Sequence, residues 1–306
     1  MGLVSIGPLL GPIIGPVSGS FLSAAKGWRW TFWLIAILGG FAAVVMIMFA
    51  RETYGPVILR KRKTGSLWAT SEINEPFSAT EHLKRGFIRP VKLLIFSPIS
   101  TICALYLAIV YGYLYLMFSS ITQVFEENYG FASNIVGLVF LGLGVGSIIG
   151  IGLTSGTSDR NIKRLKAKGQ LVKPESRLQL VPVGGFLLPA GLFIYGWTCE
   201  YHVHWIVPVI GMVIIGVGNM IIFMSVVLYL IDSFTLYEAS ALAANTFIRS
   251  IGGALLPLVG LKLFNSLGMG WGNSLLGLLA AALIPVPFLL LRYGESLRQK
   301  FEVKTL

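Results

Sequence analysis

Arg249 is the residue of this sequence with the most chemical consequence. It lies roughly ten residues into an apolar run at 239–264, so ~15 Å deep if that run crosses a bilayer at 1.5 Å per residue. A charge at that depth costs at least ~2.5–3.5 kcal/mol, so it must face other helices and find partners there. No acidic residue sits near the same depth, since Asp232 and Glu238 bracket the start of the run. The guanidinium is left with carbonyls, hydroxyls, water, a solute group or another helix. A structural arginine bonding across helices and an arginine that meets a solute are both open.

Few other residues invite chemistry. Asn219 and Asn245 are amides at the same kind of depth, where they line a cavity or bind across helices. The run at 96–120 is rich in rings: Tyr106, Tyr111, Tyr113, Tyr115 and Phe118. Tyr111 and Tyr115 share one helix face, and Tyr106 and Tyr113 share another. Rings with hydroxyl handles suit a cavity for amphipathic organic molecules, and they suit plain packing as well. Asp232 ends an apolar run, where a turn or cap role fits. Lys262 lies near the end of its run and is expected to snorkel.

No enzyme constellation is present. His82, His202 and His204 lack metal-ligand spacing to cysteines or carboxylates. Cys103 and Cys199 fall in or at the end of apolar runs and read as small core residues. The glycines at 142, 144, 146, 150 and 152 lie inside an apolar run. There they serve close helix–helix approach rather than phosphate binding, which needs a solvated helix N-terminus. The reading is of a non-enzyme with no metal and no cofactor.

The elements that must position these residues are set by composition. Of 306 residues 55% are hydrophobic and 12% charged, and the mean hydropathy is +0.78. A soluble domain of this size carries more charge. Continuous rather than alternating apolar runs point to an all-α, polytopic transmembrane bundle and away from a β-barrel. Eight spans are expected, at about 3–24, 29–50, 96–120, 134–155, 180–198, 205–230, 239–264 and 272–292. Each is long enough for ~30 Å of hydrocarbon. The net charge of +11 is placed by topology and not by nucleic acid. Lys and Arg crowd 51–92, 160–177 and 292–304, which alternate onto one side and mark it as cytoplasmic. Trp28, Trp30, Trp205 and Trp271 fall at the opposite boundaries, as an aromatic belt requires.

Several stretches carry a family resemblance. Gly2, Gly11, Gly15-Pro16 and Gly19-Ser20 resemble the antiporter motif in the fifth span of major facilitator drug:proton antiporters, with Ser20 where a second glycine is usual. Arg51-Glu52-Thr53-Tyr54, Pro56, Ile58-Leu59 and Lys63 resemble the segment after the sixth span of the fungal twelve-span members. Arg89-Pro90, Leu93-Leu94 and Ser97-Pro98 are similar to the approach to their seventh span, and Lys173-Pro174-Glu175 with Arg177-Leu178 to the loop before their ninth. Ser158-Asp159-Arg160 with Lys163-Arg164 looks like a degenerate copy of the superfamily's cytoplasmic Asp-Arg loop motif.

The resemblance implies the last eight spans of a twelve-span fold. Residues 1–50 would be the last two helices of the first half, 51–92 a cytoplasmic linker with an interfacial helix, 93–292 the six-helix second half and 293–306 a cytoplasmic tail. The implied job is export of drugs, toxins or secondary metabolites against proton entry. Small-molecule substrate, protons and the lipid bilayer are the expected partners, together with the missing N-terminal helices or a longer isoform. Tyr106, Tyr111, Tyr115, Asn219, Asn245 and Arg249 are the cavity candidates. The plasma membrane is the expected location, with the vacuole as the other. An uncoupled facilitator remains open, because no intramembrane carboxylate is present. An incomplete, non-transporting scaffold or regulatory protein remains open too.

Overall fold

The computed structural model describes the backbone of residues 2–51, 58, 79–169, 173–235 and 237–301, with side chains apart from 2–10 and 79–85. The family-like positions in 52–57 and 59–63 lie outside the described residues, as does the side-chain setting of position 2. The described residues are helical throughout: α1 Gly2–Lys26, α2 Trp28–Phe49, α3 Ala79–Phe96, α4 Pro98–Glu127, α5 Ser133–Ala167, α6 Val181–Glu200, α7 Ile206–Ser233, α8 Glu238–Ala282 and α9 Pro285–Lys300, with a 3-10 helix at Pro174–Leu180. By contacts the chain forms one unit of Met1–Phe21 with Ile88–Leu306 and a second of Leu22–Phe87. In the second unit α2 has no buried residue. A helix apolar on every side and unburied by protein is suited to hydrocarbon.

Local sequence explains the boundaries. Pro98 and Pro285 sit in the first turns of α4 and α9, where the missing N–H costs nothing. α5 ends at Ala167 with Lys168 as its cap, and Gly169 follows with φ +65°, a left-handed stop that favours glycine. Two expectations need correction here. The stretch 156–167 was expected as loop, but α5 continues through it, three turns beyond the expected end of the span at 155. No proline interrupts it, so the helix carries Asp159, Arg160, Lys163 and Arg164 on its extension. The eighth span was expected to run unbroken to 292. It stops at Ala282, because Pro285 cannot continue the hydrogen-bond ladder, and resumes as α9.

The turn between the seventh and eighth spans is tighter than the apolar runs suggest. Only Gly268, at φ +76° and ψ 173°, leaves helical geometry within α8. The chain folds back there. A Cβ on Gly112 of α4 would meet Leu256, and the neighbouring Tyr113 hydroxyl donates to the Leu276 carbonyl at 3.0 Å. Residues 256 and 276 are therefore at the same level, on two antiparallel limbs. Glu200, at the end of α6, accepts the Gly270 N–H at 3.0 Å and so caps the second limb.

Glycine seams hold the first unit together. Gly142, Gly146 and Gly150 of α5 lie against Val209, Val213 and Val217 of α7 in parallel register. Gly252 lies on the Ala108 carbonyl, and Gly260 on Leu116, so the first limb of α8 runs parallel to α4. Gly184 and Gly218 meet where α6 and α7 cross antiparallel, with a Cβ on Gly184 placed 2.8 Å from the Gly218 carbonyl oxygen. In hydrocarbon, helices gain from such approach by dispersion contacts rather than by the hydrophobic effect. Gly152 faces open space.

α1 joins this unit through its middle. Ile13 lies on Gly144, where a Cβ would stand 2.6 Å from Cγ2 of Ile13. Ser20 donates to the Asn134 carbonyl at 3.2 Å, and Gly137 receives Ser20 and the Pro16 carbonyl. The glycines in this contact belong to α5. Gly11 and Gly15 of α1 have nothing within 4 Å of a built Cβ among the described residues.

Candidate functional site

One periodicity, repeated on three helices, builds a cavity. Tyr111, Leu114, Tyr115 and Phe118 come from α4, Phe140, Leu143, Gly144 and Ser147 from α5, and Met220, Phe223, Met224 and Val227 from α7. Each set is i, i+3, i+4, i+7, one face of an α-helix. Pro12 and Ile13 of α1 and Arg249 of α8 complete the wall. The cavity volume is about 440 Å³, within the range of sites for drug-sized molecules.

Arg249 is held by rings. Its guanidinium carbon is 4.4 Å from the Tyr111 ring centre and 4.9 Å from that of Phe223. Both are cation–π distances. Gly253, one turn on, leaves the Tyr111 ring its place, since a Cβ there would stand 3.2 Å from Cδ1 of Tyr111. Nε of Arg249 is buried without a hydrogen-bond partner. Among the described residues no carboxylate lies within ion-pairing distance of it. Tyr111 donates towards the Tyr115 hydroxyl at 3.4 Å, and the two rings tilt together with centres 4.9 Å apart.

Of the six residues singled out from the sequence, Tyr111, Tyr115 and Arg249 line this cavity and the other three do not. Asn219 is buried and donates to the Val110 carbonyl at 2.8 Å, a bond between α7 and α4. Asn245 and Tyr106 are buried away from the wall. The contributions of α5 and α7 were not read from the sequence. Their signal was the spacing of Phe140 to Ser147 and of Met220 to Val227, which in an all-apolar run does not stand out from packing.

A second polar site lies at one end of the same unit. Arg177 of the 3-10 helix pairs with Asp232 at 2.8 Å and donates to the Ser158 hydroxyl at 2.7 Å. Asp232 was expected as a turn or cap residue. It instead ties α7 to the α5–α6 connection, because that connection folds back over the end of α7. Lys173 pairs with Glu295 at 2.7 Å, and Arg298 lies 3.4 Å from the buried Glu175, so α9 is held to the same connection. Asp159, Arg160, Lys163 and Arg164 are exposed. Cys103 and Cys199 are buried. Trp28, Trp30, Trp205 and Trp271 are all exposed.

This arrangement is that of a helical membrane protein with a cavity between its helices. Residues 1–257 match the Major Facilitator Superfamily model, and the chain belongs to that family. It is 46% identical to the MFS-type transporter tndD of Aspergillus flavipes, over 100% of this chain and 59% of that protein. Efflux pump radE of Floropilus chiversii is 45% identical over 99% of this chain and 58% of its own. The MFS-type transporter penM of Penicillium rubens is 46% identical, over 99% and 61%. The chain thus spans about three fifths of the length of these curated relatives. It is a multi-pass membrane protein of a transporter family, and not an enzyme.

Proposed function

We propose that the protein exports small organic molecules from the cytoplasm in exchange for protons, by alternating access around the cavity described above. The observation that carries this reading is the composition of the cavity wall. It joins α1 to α4, α5, α7 and α8, as expected of a site at the meeting of two moving helical bundles. The name of the relative radE, an efflux pump, supports the outward direction. Alternating access needs two complete bundles. The chain spans about three fifths of the relatives' length, and transport is taken to need further helices, from a longer product or a partner chain. Export to the medium is consistent with the plasma membrane, and a fluorescent fusion at the vacuole would redirect the reading.

The experiment is reconstitution in liposomes with an imposed pH gradient and a panel of amphipathic dyes. The form extended upstream is expected to move dye saturably and only with the gradient, and the 306-residue chain alone is expected not to. Saturable, gradient-driven movement by the 306-residue chain would overturn the requirement for further helices. An uncoupled facilitator is the second reading, favoured by the absence of a carboxylate among the described residues of the cavity wall. Saturable movement indifferent to the gradient would select it.

A further inference from the structure

We propose that the cavity selects organic anions, aromatic carboxylates above all, with Arg249 as the recognising group. The inference rests on the reading of this cavity as the substrate site and adds the chemical class of its ligand.

The polar atoms on the wall ask for one kind of partner. A guanidinium has only donors. The Tyr111 hydroxyl directs its proton towards Tyr115, which leaves the Tyr115 proton for a ligand. Ser147 gives its own proton to the Leu143 carbonyl at 2.8 Å. Among the described residues no carboxylate and no side-chain amide lines the wall. The only charge on the wall among these residues is a donor-only cation, so a ligand that brings acceptors and negative charge is the one that compensates it.

The surroundings of Arg249 sharpen this. The rings of Tyr111 and Phe223 offer it π faces, but a π face supplies no lone pair for the buried Nε–H. A planar guanidinium fits a carboxylate through two parallel hydrogen bonds, which a neutral amide does not match. The remaining wall is aromatic and thioether surface, with Phe118, Phe140, Met220 and Met224, and this takes flat hydrocarbon bodies. An organic cation would meet like charge with no counter-ion on the wall.

The test is equilibrium binding to the 306-residue chain in lipid nanodiscs. The probes are three radiolabelled compounds of one shape: 1-naphthoate, 1-naphthamide and 1-naphthylmethylammonium. Naphthoate is expected to bind at least tenfold more tightly than naphthamide, with the ammonium weakest. Arg249→Gln should bring naphthoate down to the naphthamide level and leave naphthamide unchanged, while Arg249→Lys keeps part of the preference. A preference for the amide or the ammonium overturns the proposal, and so does an anion preference that survives Arg249→Gln. If Arg249→Gln loses naphthamide binding too, Tyr115→Phe replaces it as the probe. It should reduce the anion preference severalfold, and an unchanged preference overturns the proposal.

Failure here is separable from failure of the export reading. No binding of any probe, beside gradient-driven dye flux, overturns the anion site and leaves export standing. Anion-selective binding that Arg249→Gln removes, with no flux in any form, supports the anion site and sinks export.

Discussion

Arg249→Ala removes the one charge among the described residues of the cavity wall and leaves Tyr111 and Phe223 without their cation. In a transporting form of the protein, flux is expected to fall at least tenfold. Lys262→Ala removes an exposed charge of the same sign and is expected to leave flux within about twofold, as for surface changes in general. Equal activity of the two at equal membrane abundance would refute a role for Arg249. The depth of Arg249 was legible because one charge interrupts an apolar run. Which tyrosines join it was half legible. Tyr111 and Tyr115 share a face by spacing, but only packing against Gly253 turns that face inward. Asn219 was ambiguous because an amide serves a cavity or a neighbouring carbonyl equally well, and here α4 supplies the carbonyl of Val110. The Arg177–Asp232 pair was not legible, as its members are 55 positions apart. Each is largely shielded from solvent, at 18% and 33% side-chain exposure. A double-mutant cycle with Arg177→Gln and Asp232→Asn, read by unfolding in mixed micelles, should give a coupling of about 1–2 kcal/mol. No measurable coupling would make the pair incidental.

Among the elements, the parallel α5–α7 seam gives the clearest contrast. Gly146 lies on the carbonyl of Val213, and backbone cannot step aside as a flexible side chain can, whereas Gly152 meets nothing. Gly146→Val should cost at least ~1–3 kcal/mol and lower the yield of folded protein. Gly152→Val should be tolerated. Size-exclusion profiles of the two in the same detergent decide it, and equal monodispersity would show that the seam yields. The glycine spacing in α5 announced a close face before any partner was known. In α1, Gly11 and Gly15 lie open while Ile13 and Ser20 make the contact with α5. Spacing identifies a smooth helix surface, and only the neighbour decides whether it is used. Helix ends were least legible where apolarity faded gradually, as along 156–167 of α5, since hydropathy marks where hydrocarbon ends and not where hydrogen bonding stops.

For the whole molecule, the helix directions constrain topology. α4 runs parallel to the first limb of α8, α5 runs parallel to α7, and α6 is antiparallel to α7. The pairs that are two and four spans apart share a direction and the consecutive pair does not, as alternation requires. The connection carrying Arg160, Lys163 and Arg164 then emerges on the same side as α9. With excess basic charge facing the cytoplasm, a cysteine placed at 164 should resist an impermeant thiol reagent in intact cells and react once the membrane is opened. Labelling from outside would invert the orientation. The broad architecture was legible because twenty-residue apolar runs allow few alternatives in a bilayer.

Gly268 has a mechanical consequence. A reversal made through a single non-helical residue has no slack, and the Glu200 carboxylate fastens its far side to α6. A push on one limb becomes torque on the other instead of being absorbed in a loop. The end of the bundle then turns as a stiff lever, and any rocking is carried by whole helices. Nitroxide labels at the exposed Leu255 and Leu278 should keep one narrow distance whether or not ligand is bound. A second distance appearing with ligand would show that the corner bends.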